Sequence, residues 1–236
     1  MKADKTVGIL GGMGPEATAD LLSRIIRLTP ANDDEDHIRC LIDNNPKVPS
    51  RIKAIIEGTG EDPAPCLREM ARQLEAWGAD FLAMPCNTAH YYLADIISAV
   101  SIPVLDIVAI TLEAVRQSLS GLSGSKKLVG LMASPALRII GLYEEKTRAI
   151  GAEILYPSDA DQELLLKLIK AVKAGQNTEE MSAGLASIAA NLTEQGAAAI
   201  VIACTELGVI PLRFSKAPVF DASEELAKEI VSKAKA

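Results

Sequence analysis

The chain has 236 residues, a length that fits one large α/β domain or two small ones and excludes peptides, fibres and repeat arrays. Hydrophobic residues make up 49% of it and aromatic residues only 3%, so we expect an aliphatic core and no aromatic platform for stacking bases. Lys and Arg number 24 against 31 Asp and Glu, and the net charge of -7 repels phosphate backbones and anionic lipids. The composition predicts a globular protein that acts on a small molecule, with no nucleic-acid or membrane partner.

The sequence also predicts a compartment and the state of its thiols. The apolar run Val7–Leu10 is too short for the core of a signal peptide, and no segment approaches the roughly 18 apolar residues of a membrane span. The four cysteines contain no C-x-x-C pair and are not grouped with the two histidines. We therefore expect a cytoplasmic protein with reduced thiols and no metal site.

Short aliphatic and β-branched runs alternate with longer amphipathic segments along the chain. Strands are predicted at Thr6–Leu10, Ile38–Asp43, Asp80–Met84, Pro103–Asp106, Leu128–Met132, Ala152–Leu155, Ala198–Ile202 and Pro218–Phe220. The clearest helices are predicted at Cys66–Trp77, Asp161–Lys173 and Ser182–Gln195. This alternation predicts parallel sheets covered by helices on both faces, with ligands at the carboxyl ends of the strands.

The sequence contains an internal repeat. Gly78–Thr88 aligns without a gap with Gly196–Glu206, and each segment carries a cysteine eight residues after its glycine. The strand Val7–Leu10 likewise matches Val129–Met132, and a Pro-Val-x-Asp segment follows each cysteine block. Three matching blocks in the same order predict two similar α/β halves.

The repeat predicts two pseudo-symmetric domains with the active site in the cleft between them. Their predicted bounds are residues 1–102 plus 215–236 for the N-terminal domain and residues 103–214 for the second. A weaker hinge is predicted in the Ser/Gly/Lys-rich stretch Ser118–Lys127.

Cys86 and Cys204 occupy equivalent positions in the two halves, where a buried strand is predicted to end and a helix to begin. Free N–H groups and the positive end of the helix dipole favour a thiolate at such a position. If the halves face each other, two sulfurs flank one ligand, which suits removal of a proton from one face of a carbon and its return to the other. This is racemisation or epimerisation. Cys40 and Cys66 are interpreted instead as small buried hydrophobic residues.

A thiol hydrolase or amidase is an alternative, with Cys86 as the nucleophile and His90, one helical turn later, as the base. This hypothesis leaves Cys204 without a role. In either case Asn87 and Thr88 fit a helix start through side-chain capping.

A glycine-rich loop, Gly11–Ala17, follows the first strand and opens a helix, with Pro15 suited to the first turn. Positions 12, 14 and 17 match the G-x-G-x-x-A form of the dinucleotide fingerprint. However, Pro15 removes one N–H group that a pyrophosphate would use. We therefore interpret the loop as a site for a small anion such as a carboxylate.

Two cations are candidates for binding an anionic substrate. Arg51 ends the Pro-containing loop after the second strand, where it is either a solvated helix-start residue or a bidentate partner for a substrate carboxylate. Lys173 is typical of a cation at a helix C-terminus, and the pattern around it gives it no catalytic role.

The segments LGGMGPEAT, NNPKVPSR, ADFLAMPCNTAH and ACTELGVI resemble those of the aspartate/glutamate racemase family, most closely its aspartate racemase branch. The resemblance covers nearly the whole chain. It implies a cofactor-independent amino-acid racemase, usually a homodimer, that interconverts L- and D-aspartate. Cys86 and Cys204 then resemble the two acid/base thiols of the family.

The resemblance also implies binding residues. Arg51 and Lys173 match cations that hold the side-chain carboxylate of the substrate, and Thr88 and Thr205 match residues that contact its α-carboxylate or ammonium group. Neighbours of these motif positions complete the candidate set: Met13, Asn44, Asn87 and Glu206.

One segment departs from the family pattern. Ser134–Leu137 stands where the family tends to a Thr/Gly-Thr turn with a Ser one helical turn later. Apolar groups and Arg138 therefore replace the expected hydroxyl contacts, which leaves a glutamate-type or broad-specificity racemase open. A vestigial amino-acid sensor and related decarboxylation or cis-trans isomerisation on the same two thiols also stay open.

Overall fold

The computed structural model describes residues 4–120, 127–212 and 215–236. By its internal contacts the chain divides into two compact units, Met1–Ile107 with Ser223–Ala236 and Val108–Ala222. The predicted domain bounds, which differ from these by several residues, stay a prediction. Part of the predicted hinge, residues 121–126, lies outside the described residues, as does position 214 at the predicted end of the second domain.

The first unit is built on a three-stranded parallel sheet with the order β2-β1-β3. Its elements are β1 (Val7–Gly11), α1 (Pro15–Leu28), β2 (Cys40–Asn44), α2 (Ala64–Ala76), β3 (Phe81–Ala83) and α3 (Leu93–Ile97). Short turns of 3-10 helix at Asp34–Asp36 and Thr88–Tyr92 and a π-helical turn at Lys53–Glu57 lie between them.

The second unit is built on a four-stranded parallel sheet with the order β5-β4-β6-β7. Its elements are α4 (Ile107–Leu119), β4 (Lys127–Met132), α5 (Pro135–Ile140), α6 (Glu144–Ala149), β5 (Ala152–Leu155), α7 (Asp159–Lys173), α8 (Glu179–Glu194), β6 (Ala197–Ile202), α9 (Thr205–Gly208) and β7 (Val219–Asp221). The final helix, α10 (Ala222–Lys235), packs on the first unit, where Glu224 pairs with Arg24 at 3.1 Å. The predicted α/β class with two parallel sheets is confirmed.

Seven of the eight predicted strands are present, but the strand predicted at Pro103–Asp106 is wrong. Only Val104 pairs there, in a single parallel bridge with Leu82. The bridge cannot extend because Pro103 has no N–H to donate and the chain already enters α4 at Ile107. At the equivalent place in the second unit, β7 pairs with β6 over three residues.

The internal repeat has a packing cause that both units share. A Cβ atom on Gly8 of β1 would lie 3.2 Å from the Leu74 Cβ of α2, and one on Gly130 of β4 would lie 3.2 Å from the Leu192 Cβ of α8. In each unit the glycine lets a helix pack closely on the central strand. β3 pairs with β1 and β6 pairs with β4, so β3 and β6 occupy equivalent places beside the strand that carries the glycine.

Each unit has its own aliphatic core. Leu10, Leu67 and Leu82 are fully buried in the first, and Leu165, Leu185 and Ile200 are fully buried in the second. None of the helices in the described parts of the chain is sufficiently long and apolar to span a bilayer.

Candidate active site

Cys86 lies just beyond the carboxyl end of β3. Its side chain is 7% exposed and contributes to the core of the first unit. The segment that follows is the 3-10 turn Thr88–Tyr92 rather than an α-helix, with Asn87 buried at the position before it. The Asn87 side chain makes no capping hydrogen bond, so the predicted capping role of this residue is wrong. Thr88 is half-buried at the start of the turn.

His90 is buried and its ring is held by main-chain groups. Nε2 accepts from the N–H of Ile107 at 3.2 Å, the shorter of its two contacts, and lies 3.4 Å from the carbonyl oxygen of Leu105; with Nε2 as the acceptor, the ring proton is assigned to Nδ1. Nδ1 in turn donates to the carbonyl oxygen of Cys86 at 2.8 Å. Because both ring nitrogens are engaged in this way, His90 is poorly placed to accept the thiol proton of Cys86, which argues against the thiol hydrolase.

Cys204 is the residue immediately before α9 and follows β6 with an extended backbone. Its side chain is 8% exposed, and Sγ donates to the carboxylate Oε2 of Glu206 at 3.1 Å. The backbone N–H groups of Glu206 and Leu207 lower the pKa of the thiol, and the Leu207 N–H donates to the Cys204 carbonyl oxygen at 2.9 Å. Cys204 is therefore surrounded by polar groups that belong to the first turn of α9.

The environment of Cys204 favours the thiol form. Burial raises the pKa of Cys204 well above its ordinary value, and the negative charge of Glu206 and its hydrogen bond raise it further. The N–H groups of Glu206 and Leu207 lower this pKa, as expected of a helix start, but they do not outweigh burial and the carboxylate. The predicted effect of the helix start is therefore present, but at this residue burial and Glu206 exceed it.

Glu206 and Lys173 form an ion pair at the end of α7. Lys173 is the last residue of that helix, as predicted, and its Nζ lies 3.3 Å from Glu206 Oε1. The Glu206 side chain is 7% exposed while that of Lys173 is 48% exposed, so the pair links a buried carboxylate to the surface. Thr205, between Cys204 and Glu206 in the chain, is also buried. The contact between Glu206 and the thiol is a feature that the sequence pattern did not reveal.

The glycine loop is fixed from within the first unit. Gly12 has a φ of +87°, and a Cβ atom there would lie 2.2 Å from the Asn45 carbonyl carbon. The Gly12 N–H donates to Thr18 Oγ1 at 2.9 Å, so this donor is not directed at a ligand. Pro15 begins α1 as predicted. The sequence interpretation missed Thr18, although a hydroxyl in the first turn after a glycine loop is a usable signal.

Met13 is buried and Asn44 is exposed. The Met13 side chain is 4% exposed and packs in the core of the first unit, so only its main chain remains for a ligand. Asn44 is exposed at the carboxyl end of β2, where it pairs in register with Gly11 of the glycine loop. The glycine loop and the end of β2 are therefore neighbours, as a parallel sheet requires.

Arg51 is half-buried and bends back on its own loop. Its NH1 group donates to the carbonyl oxygens of Val48 at 3.3 Å and Pro49 at 3.0 Å. Both acceptors are neutral carbonyl oxygens, so these two hydrogen bonds do not offset the charge of the side chain. A cavity of about 380 Å³ lies beside this segment and is lined by Ala54, Ile55, Gly60, Asp62, Tyr91 and Tyr92.

The other two cysteines are half-buried, and the prediction that they are buried is wrong in degree. Burial raises the pKa of Cys40 to about 11, and burial with the nearby Asp43 and Glu61 raises that of Cys66. All four cysteines are free thiols. Within residues 4–120, 127–212 and 215–236, no three His, Cys, Asp or Glu side chains come close enough together to hold a metal ion.

The departing segment Ser134–Leu137 forms the start of α5. Ala136 and Leu137 are buried in the second unit, so their side chains serve packing. Arg138 places its guanidinium carbon 4.6 Å from the centre of the Tyr156 ring, an arrangement typical of a cation–π contact. The contacts described for this segment therefore lie within the second unit.

Comparison with known proteins identifies a family. Residues 10–230 match the sequence profile of the Asp/Glu/Hydantoin racemase family. The chain is 30% identical over 240 residues to the broad specificity amino-acid racemase RacX of Bacillus subtilis (strain 168), covering 96% of each sequence.

Solved structures agree on the fold. The aspartate racemase of Picrophilus torridus superposes with a TM-score of 0.84 at 30% identity, covering 98% of this chain and 94% of that one. The glutamate racemase RacE1 of Bacillus anthracis superposes with a TM-score of 0.62 at 17% identity, covering 98% of this chain and 81% of that one, which shows a shared fold alone.

Proposed function

The chain belongs to the Asp/Glu/Hydantoin racemase family and is an isomerase, an amino-acid racemase, and from this premise we propose that it interconverts L- and D-aspartate through two thiols. In the proposed reaction one thiolate removes the Cα proton of the bound amino acid. The thiol on the opposite face then protonates the planar carbanion. Cys86 and Cys204 are the two groups, and their roles exchange when the reaction runs in reverse.

The observation that carries this proposal is the equivalence of the two cysteines. Each follows the strand next to the central strand of its own sheet, just beyond the carboxyl end. Each is mostly buried but keeps a small exposed fraction, 7% for Cys86 and 8% for Cys204. A chain that needed only one thiol would have no use for this duplication.

The difficult step is the removal of a weakly acidic proton from a zwitterion. A general base typically accelerates a reaction about 10²–10⁴-fold. Stabilisation of the developing negative charge has to supply much of the remaining rate enhancement. We propose that main-chain N–H groups near Thr88 and Thr205 hold the α-carboxylate, with Asn87 nearby. Exclusion of water strengthens these contacts.

One cation, Arg51, supports an acidic substrate. The Arg51 guanidinium donates to the neutral carbonyl oxygens of Val48 and Pro49, and we propose that it binds the side-chain carboxylate of aspartate. Asn44 and the main chain of Met13 lie at the same sheet edge and are proposed as further contacts. The aspartate racemase of Picrophilus torridus is among the most similar structures, which supports this choice.

A broader amino-acid specificity is the second candidate, and one contact favours it. The charge of Lys173 is paired with Glu206, so less of it is available to a substrate carboxylate than the resemblance implies. The relative RacX is a broad specificity racemase. The two candidates share the thiols and differ only in the recognition of the side chain.

A racemisation assay tests the two-thiol proposal. Cys86→Ser and Cys204→Ser are each expected to lower the rate of circular-dichroism change from L- or D-aspartate by more than about 10³-fold, because one face of the substrate carbon loses its acid or base. Cys66→Ser, in a half-buried thiol without a proposed role, is the matched control and should keep the wild-type rate. Wild-type activity in Cys204→Ser would refute the proposal.

A second assay, of α-hydrogen exchange with solvent, decides between the substrates. Proton NMR in deuterated water follows loss of the α-hydrogen for the L- and D-forms of the common amino acids. Aspartate is expected to exchange fastest, and Arg51→Gln should raise its KM with a smaller effect on neutral amino acids. Equal exchange of acidic and neutral amino acids would favour the broad-specificity candidate.

We further propose a cytoplasmic homodimer that works without a cofactor or nucleic acid. Free thiols are stable in a reducing compartment, and the net charge of -7 disfavours nucleic acid. The resemblance to the aspartate racemase branch supports the homodimer. Sedimentation equilibrium should give twice the 25.0 kDa of one chain, and a single-chain mass would contradict it.

A further inference from the structure

We propose that Glu206 is a positioning residue that keeps Cys204 in its protonated form in the resting enzyme, and that Lys173 moderates this effect by pairing with the same carboxylate. The inference rests on the proposed two-thiol function and replaces the expected substrate contact of Glu206 with a role toward the thiol. It makes Cys204 the acid of the resting enzyme.

The geometry around Glu206 supports this role. One carboxylate oxygen, Oε2, accepts the hydrogen bond from Cys204 Sγ at 3.1 Å, and the other, Oε1, lies 3.3 Å from Lys173 Nζ. Glu206 is only 5% exposed and Cys204 only 8%, so the contact between them is weakly screened by solvent, whereas Lys173 is 48% exposed and its contact is screened more. A carboxylate in that position attracts the thiol proton and repels a thiolate.

The charged groups around α9 act in different directions. Glu206 belongs to the first turn of α9, and Lys173 reaches it from α7. Asp221 lies at the other end of α9, since a Cβ atom on Gly208 would be 2.8 Å from both of its carboxylate oxygens. Glu206 opposes a negative charge on Cys204, and the N–H groups of Glu206 and Leu207 favour it. Lys173 contacts the carboxylate of Glu206, and Asp221 lies beside Gly208 at the far end of the helix.

The proton-transfer step follows from this arrangement. When the carbanion forms, its electron pair makes a new bond to the Cys204 proton, and the S–H electron pair stays on sulfur as a thiolate. That thiolate is the base of the reverse reaction. The resting enzyme therefore acts directly on the enantiomer whose Cα–H bond faces Cys86.

Two substitutions are expected to move the ionisation of Cys204 in opposite directions. Glu206→Gln removes the negative charge and supplies an amide N–H, so Cys204 should ionise at lower pH. Lys173→Met removes the cation that pairs with Glu206, so the carboxylate should act more strongly on Cys204, which should ionise at higher pH. Glu194→Gln and Lys170→Met change the same residue types at exposed positions in the same unit and are the controls.

The readout uses proteins in which only one of the two thiols remains. In a Cys86→Ala background, the pH dependence of α-hydrogen exchange reports Cys204, and Glu206→Gln should shift it to lower pH while Lys173→Met shifts it to higher pH. In a Cys204→Ala background the exchange depends on Cys86, and neither substitution should shift its pH dependence. The ammonium group of the substrate titrates equally in all of these proteins, so differences between variants report the thiol.

Alkylation supplies a second readout that does not need activity. The rate at which iodoacetamide modifies Cys204 at pH 8, measured by mass spectrometry of its peptide, should rise severalfold in Glu206→Gln and fall in Lys173→Met. Unshifted exchange profiles together with unchanged alkylation would overturn the inference. Absence of exchange in the wild-type enzyme would refute the proposed function instead, while alkylation would still decide the role of Glu206.

Discussion

Cys204 and Glu206 are separated by one residue in the chain, and their side chains meet because α9 begins between them. A helix start brings N–H groups toward a thiol, as the sequence predicts, and here it also brings a carboxylate. Burial has the largest effect on the pKa of Cys204, and it disfavours the thiolate more than the N–H groups favour it. Residue type and spacing therefore locate the thiol correctly but do not determine its protonation.

Gly12 is the residue whose replacement should most disturb the glycine loop. In Gly12→Ala the new Cβ would lie 2.2–2.5 Å from the main chain of Asn45, at a positive φ. Displacement of that loop is expected to cost more than about 3 kcal/mol of unfolding free energy in a urea titration. Gly78→Ala is the control, since Gly78 also has a positive φ but has nothing within 4 Å of a Cβ, and it should cost only about 1 kcal/mol. Equal losses would contradict the proposed contact.

The Cys40 thiol predicts a pH effect on stability. Burial raises its pKa from 9.0 to about 11, so the native state keeps a proton that the unfolded chain releases between those values. Because the native state then binds more protons, this contribution is complete below pH 9 and is lost as the pH rises toward 11. The free energy of unfolding of the wild type minus that of Cys40→Ala should therefore decrease from about pH 8 to about pH 10.5. A constant difference would show that Cys40 does not titrate in this way.

Strands and helices follow the sequence closely where the pattern is continuous. The helix predicted at Asp161–Lys173 is α7, which begins two residues earlier, at Asp159. By contrast, the Pro103–Asp106 segment has the composition of a strand, but its pairing depends on Pro103 and on the start of α4. Local propensity predicts α7, whereas only tertiary pairing decides whether Pro103–Asp106 forms a strand.

The site shows the same division between local and tertiary information. The two cysteines and the cation at the end of α7 could be located from repeats and helix periodicity. The pairing of Lys173 with Glu206 and the bonds from Arg51 to its own loop could not, because they depend on how loops from different elements fold back.

Ser158 is the cap on which the start of α7 depends. Its hydroxyl accepts from the Asp161 N–H at 3.2 Å, and the side chain is otherwise exposed. Ser158→Ala should lower the free energy of unfolding by about 1 kcal/mol, and Ser158→Asp should restore it, because Asp is also a good cap. Guanidinium titrations of the three proteins check this, and an unchanged midpoint in Ser158→Ala would contradict it.

At the scale of the whole molecule, the chain is a duplicated α/β arrangement in which each unit carries one thiol after an equivalent strand. Family membership makes the protein a racemase, while the duplication supports the use of both thiols. In our account Cys86 and Cys204 act on the same substrate carbon. Loss of one thiol should therefore stop inversion but leave proton removal by the other.

Stereospecific exchange in the single-thiol enzymes tests this account most directly. In deuterated water, Cys204→Ala should exchange the α-hydrogen of one aspartate enantiomer only, and Cys86→Ala that of the other only, with little inversion in either case. NMR with a chiral assay of the recovered amino acid measures both events. Exchange of the same enantiomer by both variants, or full inversion by either, would contradict the two-thiol mechanism.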